Sequence, residues 1–293
     1  MTFGAEHTTD DVLAGVDLAG TVVVVTGAST GLGLETARAC AAHGATVVMA
    51  VRDPGAPAAL AALATVGVNG HLVACDLTSL ASVRAAAAEI AERWGRVDVL
   101  VNNAGVMATP AGTTVEGFEL QLGVNHLAHF ALTARLAPVL ADDARVVNVS
   151  SRGHLIAGVD VDDPHWRTRE YDKWRAYGQS KSANVLFTRG LAERGISANA
   201  VHPGMIGTDL YRYLPAEERA MVEARPAGSE GTTKTIPQGA ATIVWAAVAD
   251  GVPNGGYLAD CAVEEAAAHA TDPEMVAWLW AFSESEIGES FPT

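Results

Sequence analysis

A chain of 293 residues, 49% of them hydrophobic, is long enough to bury the core of one α/β domain. Its formal net charge of -15 argues against nucleic acid or an anionic membrane as a partner, because phosphate groups would repel it. Cys40, Cys75 and Cys261 are isolated, which gives neither a disulfide framework nor a metal spacing and points to a reducing, cytoplasmic setting. No apolar run is long enough to span a bilayer, and no basic-then-apolar leader opens the chain.

Residues 1–17 are polar and acidic and read as a loose arm ahead of a domain over 18–293. The β-branched run 22–26 predicts a buried strand. Further strands are expected at 46–51, 71–75, 97–101, 145–148, 197–201 and 257–259. Helices are expected between them at 34–43, 56–66, 80–94, 118–140, 180–194 and 237–249. Alternating strands and helices imply one doubly wound parallel sheet, an α/β Rossmann domain with helices on both faces. Two segments interrupt the alternation. Residues 155–175 are rich in Asp, Arg and Trp, and residues 205–236 form a long stretch without regular structure that reads as a lid.

The first strand runs into Thr26-Gly27-Ala28-Ser29-Thr30-Gly31-Leu32-Gly33 and then into a helix. In that context Gly27 and Gly31 let the backbone approach a pyrophosphate, Gly33 allows close helix–strand packing, and the phosphates meet the helix N-terminus. The alternative is a purely structural βα turn. Farther along, Tyr177 and Lys181 are four residues apart and share one helix face. A Lys ammonium one turn away favours the phenolate and should lower a phenol pKa of roughly 10 toward neutrality, making Tyr177 a candidate general acid or base. The alternative is a solvated helix face.

The second strand ends at Val51, and Arg52 follows it. A guanidinium there suits a ribose 2′-phosphate, so NADP is favoured; a register slip of two would bring Asp53 to the ribose and select NAD.

Taken in order, Thr26 to Gly33, Asn102 to Gly105, Asn125, Ser151, Tyr177, Lys181 and Pro203-Gly204 resemble the motif series of the short-chain dehydrogenase/reductase family, over roughly residues 18–262. Within it, 124–130 and 177–187 are similar to the retinol-dehydrogenase-like and carbonyl-reductase-like branch. The resemblance implies an NADP(H)-dependent oxidoreductase that interconverts a ketone or aldehyde with an alcohol. In that reading Tyr177 exchanges the proton. Lys181 lowers its pKa and holds the nicotinamide ribose. Ser151, the second of the pair with Ser150, polarises the carbonyl. Asn125 holds a water linking Lys181 to solvent. The turn residues Gly27, Ser29, Thr30, Gly31, Leu32 and Gly33 cradle the dinucleotide. Asp76 and Leu77 contact the adenine, although Asp76 alternatively only caps a turn. Asn103, Ala104 and Gly105 stabilise the sheet beside the cofactor, and Pro203, Gly204 and Thr208 lie on the nicotinamide side. The segment 205–236 closes over a moderately hydrophobic carbonyl or alcohol. A homodimer or homotetramer through the Tyr177 helix is implied, unless the 155–175 insertion blocks it. The rivals are a non-catalytic NADP-binding redox sensor and an enone reductase on the same scaffold.

Other residues invite weaker readings. His126 and His129 are expected on a helix face without a metal. His154 is a candidate for facing the substrate. Trp166 and Trp174 read as a packed cover or a subunit contact. Asp160, Asp162 and Asp163 read as a solvated loop, and Cys261 as a buried apolar group.

Overall fold

The computed structural model describes residues 2–207, 209–223 and 233–292. The strands are β1 (Val22–Thr26), β2 (Thr46–Val51), β3 (Gly70–Ala74), β4 (Val97–Asn102), β5 (Leu140–Val149), β6 (Ser197–His202) and β9 (Tyr257–Ala259); the β-branched runs of β1, β2 and β4 are almost wholly buried, whereas β3 is a half-buried edge. They pair in parallel in the order β9-β6-β5-β4-β1-β2-β3, and β10 (Ala262–Glu264) adds an antiparallel edge beside β9. Helices α2 (Gly31–Ala42), α3 (Pro57–Val66) and α9 (Ile236–Val248) cover one face. Helices α4 (Leu80–Trp94), α6 (Ala128–Leu136) and α7 (Lys173–Glu193) cover the other. The chain reverses its winding between β1 and β4, which opens a crevice at their carboxyl ends. Among the described residues no helix is long and apolar enough to cross a membrane.

Several elements depart from the sequence reading. Residues 1–17 are not a loose arm. They carry α1 (Thr9–Leu13), closed by a capping box between Thr8 and Asp11, with Val12 and Leu13 buried against α2 and α9. The Thr9 hydroxyl is hydrogen-bonded to the buried Glu35 carboxylate. The predicted helix 118–140 is broken into α5 (Leu120–Leu122), a π-helical turn (Gly123–Leu127) and α6. A Cβ on Gly123 would lie 2.4 Å from Thr114 Cγ2, so the turn packs where only glycine fits. The stretch 205–236 is not structureless: it holds β7 (Met205–Ile206), a 3-10 turn (Asp209–Tyr213), α8 (Ala216–Glu223) and β8 (Thr233–Lys234).

Of the acidic cluster, Asp162 is solvent-exposed as expected and Asp160 is half-buried, but Asp163 is not solvated. Asp163 is buried and accepts the N–H groups of Arg167 (2.7 Å) and Thr168 (2.9 Å) and the Thr168 hydroxyl (2.9 Å). Burial alone would raise its pKa, but these donors outweigh it and hold the carboxyl at about 2. Asp160 pairs with Arg169 at 2.7 Å, and the Arg169 guanidinium lies 3.6 Å over the Trp166 ring. Trp174 packs beside Met107, Tyr177 and Leu214, so both tryptophans belong to a packed cover.

One long helix was absent from the sequence reading. α10 (Pro273–Ile287) is capped by Asp272, opened by Pro273 and ended by Gly288 in the left-handed conformation. It docks on α7 through Val276, Leu279 and Trp280. The Trp280 ring sits 5.1 Å from Phe130 and 4.9 Å from Phe291, with the Arg194 guanidinium 3.5 Å over it. As a result every residue of α7 from Ala176 to Thr188 is buried within one chain. Self-association through these residues would require α10 or the 155–175 cover to move.

Gly190 marks the closest α7–α10 contact, since a Cβ there would lie 2.6 Å from Trp280 Cε3. Gly190→Ala is expected to destabilise the fold by about 1–3 kcal/mol through overpacking, despite alanine's better helix propensity. In a Trp280→Ala background, urea unfolding should show the same change to be neutral or stabilising.

Candidate active site

The crevice encloses about 560 Å³, and one continuous lining runs from the glycine turn to Tyr177 and Lys181. Its dinucleotide half is built on β1, β2, β4 and the N-terminus of α2. Gly27 (φ 67°) and Gly31 (φ 57°) both adopt the left-handed conformation that glycine tolerates without strain. Thr30 precedes α2 without a side-chain cap, so the first N–H groups of the helix are left for an anion. Gly33 works differently from expectation. A Cβ there would lie 2.5 Å from both Asn103 Nδ2 and Gly27 O, so it closes the turn on itself and on Asn103 rather than packing on a strand.

Asn103, Ala104 and Gly105 line the crevice because Thr26 holds them. The Asn103 amide donates to Thr26 O at 2.8 Å, and the backbone N–H groups of Asn103 and Ala104 donate to Thr26 Oγ1 at 2.9 and 3.0 Å. β2 ends at Val51, and Arg52 lines the crevice. Asp53 Oδ1 instead accepts the Gly55 N–H at 2.9 Å in a local turn. Asp76 and Leu77 line the crevice, and Asp76 also caps its turn through the Thr78 N–H (2.9 Å) and hydroxyl (2.8 Å). This part of the crevice fits a dinucleotide: an uncapped helix N-terminus and two left-handed glycines face it, with a guanidinium at the end of β2.

The other half belongs to α7. Asp172 caps the helix by accepting the N–H groups of Trp174 (2.9 Å) and Arg175 (3.0 Å). One turn in, Tyr177 and Lys181 both line the crevice although little of either is exposed. The Ser151 hydroxyl is hydrogen-bonded to the Tyr177 hydroxyl and accepts the Gly153 N–H at 3.0 Å. Ser150 is buried and donates to Lys181 O at 2.8 Å, so the two serines have different tasks.

The Tyr177 phenol is not lowered toward neutrality as the spacing to Lys181 suggests. Burial pushes the Tyr177 phenol up to about 12, opposed only in part by the Ser151 hydrogen bond, and burial pushes Lys181 down to about 7. Desolvation penalises phenolate and ammonium alike. The Lys181 ammonium, 5.8 Å from the Tyr177 ring centre, donates to Val149 O at 2.8 Å.

Asn125 lies behind the crevice, on the π-helical turn. Its amide donates to Val106 O and to Ser180 Oγ, both at 2.9 Å, and its carbonyl accepts the Val106 N–H at 2.8 Å. Pro203 lines the crevice. Gly204 (φ 92°) adjoins it, with the Lys234 side chain filling the space a Cβ would need. Thr208 lies outside the described residues. His154 does not face the crevice. Its Nδ1 donates to Ser151 O at 2.7 Å and its Nε2 accepts the Ala267 N–H at 3.1 Å. His126 and His129 are buried rather than placed on an open helix face, and no cluster able to hold a metal occurs among the described residues.

The sequence reading missed Gly153 and Gly178. A Cβ on Gly153 would lie 2.6 Å from Tyr177 Cε1, and one on Gly178 would lie 2.8 Å from Gly153 O. This backbone-to-ring contact fixes Tyr177 beside Ser151. Leu210 and Tyr213, which the sequence placed in the lid segment, line the crevice, and Arg212 joins them without having been singled out. Neither the two glycines nor Arg212 has a spacing signature, because the contacts join distant segments.

A crevice lined by a glycine turn and by Ser151, Tyr177 and Lys181 on a doubly wound sheet defines a class of nicotinamide-linked oxidoreductases. The sequence matches the short chain dehydrogenase family over residues 21–219. It is 42% identical to a probable oxidoreductase of Streptomyces lividans, over 91% of this chain and 97% of that protein. It is 39% identical to retinol dehydrogenase 13 of Homo sapiens, over 94% of this chain and 86% of that protein. Among solved structures it resembles a short chain dehydrogenase from Burkholderia cenocepacia in complex with NADP (TM-score 0.66, 27% identity, 83% of this chain and 97% of that one). The chain belongs to the short-chain dehydrogenase family, in its retinol-dehydrogenase-like branch.

Gly153→Ala should push the Tyr177 ring out of line with Ser151. Assays of kcat beside circular dichroism are expected to show about a 10²-fold loss of turnover with the fold intact.

Proposed function

We propose that this protein interconverts a ketone or aldehyde with the corresponding alcohol, using NADP(H), with Tyr177 as the group that exchanges the proton. The observation that carries this reading is the Ser151–Tyr177 hydrogen bond in the same crevice that the glycine turn lines. A redox sensor would need the dinucleotide half of the crevice but no proton donor aligned with a second hydroxyl.

The cofactor supplies or accepts the hydride; the protein supplies orientation and the proton. Gly27, Ser29, Thr30, Gly31, Leu32 and Gly33, with Asn103, Ala104 and Gly105, would hold the dinucleotide, and Lys181 its nicotinamide ribose. Arg52 supports NADP over NAD, because it lines the crevice while Asp53 is engaged with Gly55. The Burkholderia neighbour, a complex with NADP, supports the same choice. Asp76 and Leu77, which line the same crevice, would border the adenine.

In carbonyl reduction the neutral Tyr177 hydroxyl gives its proton to the substrate oxygen. Ser151 donates a hydrogen bond to that oxygen as negative charge develops on it. The phenolate left on Tyr177 is stabilised by Ser151 and by the neighbouring Lys181 ammonium. In alcohol oxidation the same groups run in reverse, with the Tyr177 phenolate as base. Asn125 supports Lys181 indirectly, by fixing the adjacent Ser180 hydroxyl and the Val106 backbone.

The described residues 209–214 would contribute to a lid over this site. Leu214 is buried with Met107 and Tyr177, and Leu210 packs beside them, which favours a moderately hydrophobic substrate. Retinol dehydrogenase 13 is named for an apolar alcohol, which supports the same substrate class.

Tyr177→Phe keeps the ring and removes the proton. It is expected to lower kcat about 10²–10⁴-fold while NADPH binding by fluorescence titration is preserved. Full turnover in that variant would refute the mechanism. The direction of the Tyr177 shift gives a second test. With the phenol held up at about 12, the acid form persists from pH 6 to 10 and the base form is scarce there. Oxidation kcat should therefore climb steadily over that range, while reduction kcat should not fall on account of Tyr177.

A further inference from the structure

Two segments that must cooperate in this crevice are joined by a buried histidine that neither half of the proposed chemistry uses. Thr26 ends β1, immediately before Gly27. Its Oγ1 accepts the Asn103 and Ala104 N–H groups at 2.9 and 3.0 Å, so its own proton is free to go elsewhere. His129 Nε2 lies 2.9 Å away, closer than the competing Val101 carbonyl at 3.4 Å. On the far side of the ring, His129 Nδ1 lies 3.1 Å from Asn125 O. A carbonyl can only accept, so Nδ1 carries the ring proton and Nε2 accepts from Thr26. The imidazole is 2% exposed, and burial pushes its pKa down to about 4, which keeps it in this neutral tautomer.

We propose that His129 is a positioning residue that sets the register between the glycine turn and the Asn125 turn, and so between the dinucleotide and proton halves of the crevice. The chain of contacts is continuous. Thr26 anchors Gly27 and the Asn103-Ala104 backbone, while Asn125 anchors Val106 and Ser180, next to Lys181. His129 links the two through opposite ring nitrogens. The one-turn spacing of Asn125 and His129 is visible in the sequence, but the link to Thr26 spans 103 residues and is not.

The inference rests on the functional reading for its kinetic consequence, so the test separates the two. Two half-mimics divide the ring. Asn at 129 places an amide near the position of Nδ1 and keeps a donor for Asn125 O while losing the Thr26 acceptor. Gln at 129 reaches the position of Nε2 and keeps the Thr26 acceptor while losing the donor to Asn125. With NADPH as probe, His129→Asn is expected to weaken cofactor binding about tenfold, the cost of one buried hydrogen bond, with kcat at saturating NADPH near wild type. His129→Gln is expected to bind NADPH near wild type and lose about tenfold in kcat. Amide exchange gives a readout independent of turnover: the Asn103 and Ala104 N–H groups should lose protection in the Asn variant, and the Val106 N–H group in the Gln variant. Parallel losses of affinity, kcat and protection in both variants, or no change in either, would overturn the proposal. Selective exchange changes in a protein that binds no NADPH would uphold the coupling and refute the functional reading instead.

Discussion

The constraint on which this site depends is the burial of an ammonium and a phenol one helical turn apart. Water would stabilise both of their charged forms, and the structure withholds it from both, which is why Lys181 falls to about 7 and Tyr177 rises to about 12. What keeps water out lies largely away from the crevice. α10 covers α7 through Trp280, the 155–175 segment covers the N-terminal turn of α7, and Gly153 and Gly178 let the 3-10 turn after Ser151 press against the helix. The neutral state of the Tyr177 phenol is therefore a property of the packing as much as of the side chains beside it.

A second consequence concerns the dinucleotide half. The turn that carries its left-handed glycines is held from below by Thr26, Asn103 and Ala104, and Thr26 is in turn shared with His129. The glycine turn and the Asn125 turn therefore share one network of buried hydrogen bonds, in which a half-satisfied member costs more than an absent one. Leu210 and Leu214 belong to a separate apolar cluster with Met107 and Tyr177.

Much of this was legible in the sequence. The β-branched runs gave the strands because strands buried on both faces leave a simple composition. The end of β2 at Val51, which places Arg52 rather than Asp53 at the crevice, followed from its run of apolar residues. The glycine turn and the Tyr177–Lys181 pair were legible because spacing within one turn or helix is a local property. What was missed is non-local or sterically defined. α10 spreads its aromatic residues around the helix, so no clean apolar stripe announces it. The π-helical turn at Asn125 arises where Gly123 meets Thr114, and Asp163 owes its role to donors that exist only once the turn has formed. The phenol pKa was misjudged for the same reason: spacing shows that Lys181 is near, whereas burial, which reverses the sign, is a property of the whole fold.

The most direct test of this account is a calorimetric titration with NADPH at pH 8 in two buffers of different ionisation enthalpy. Lys181, at about 7, is mostly neutral there, and an anionic dinucleotide beside it should restore its ammonium. The expected result is binding accompanied by uptake of about one proton, abolished in Lys181→Met. Binding without proton uptake, or no binding of NADPH, would contradict it.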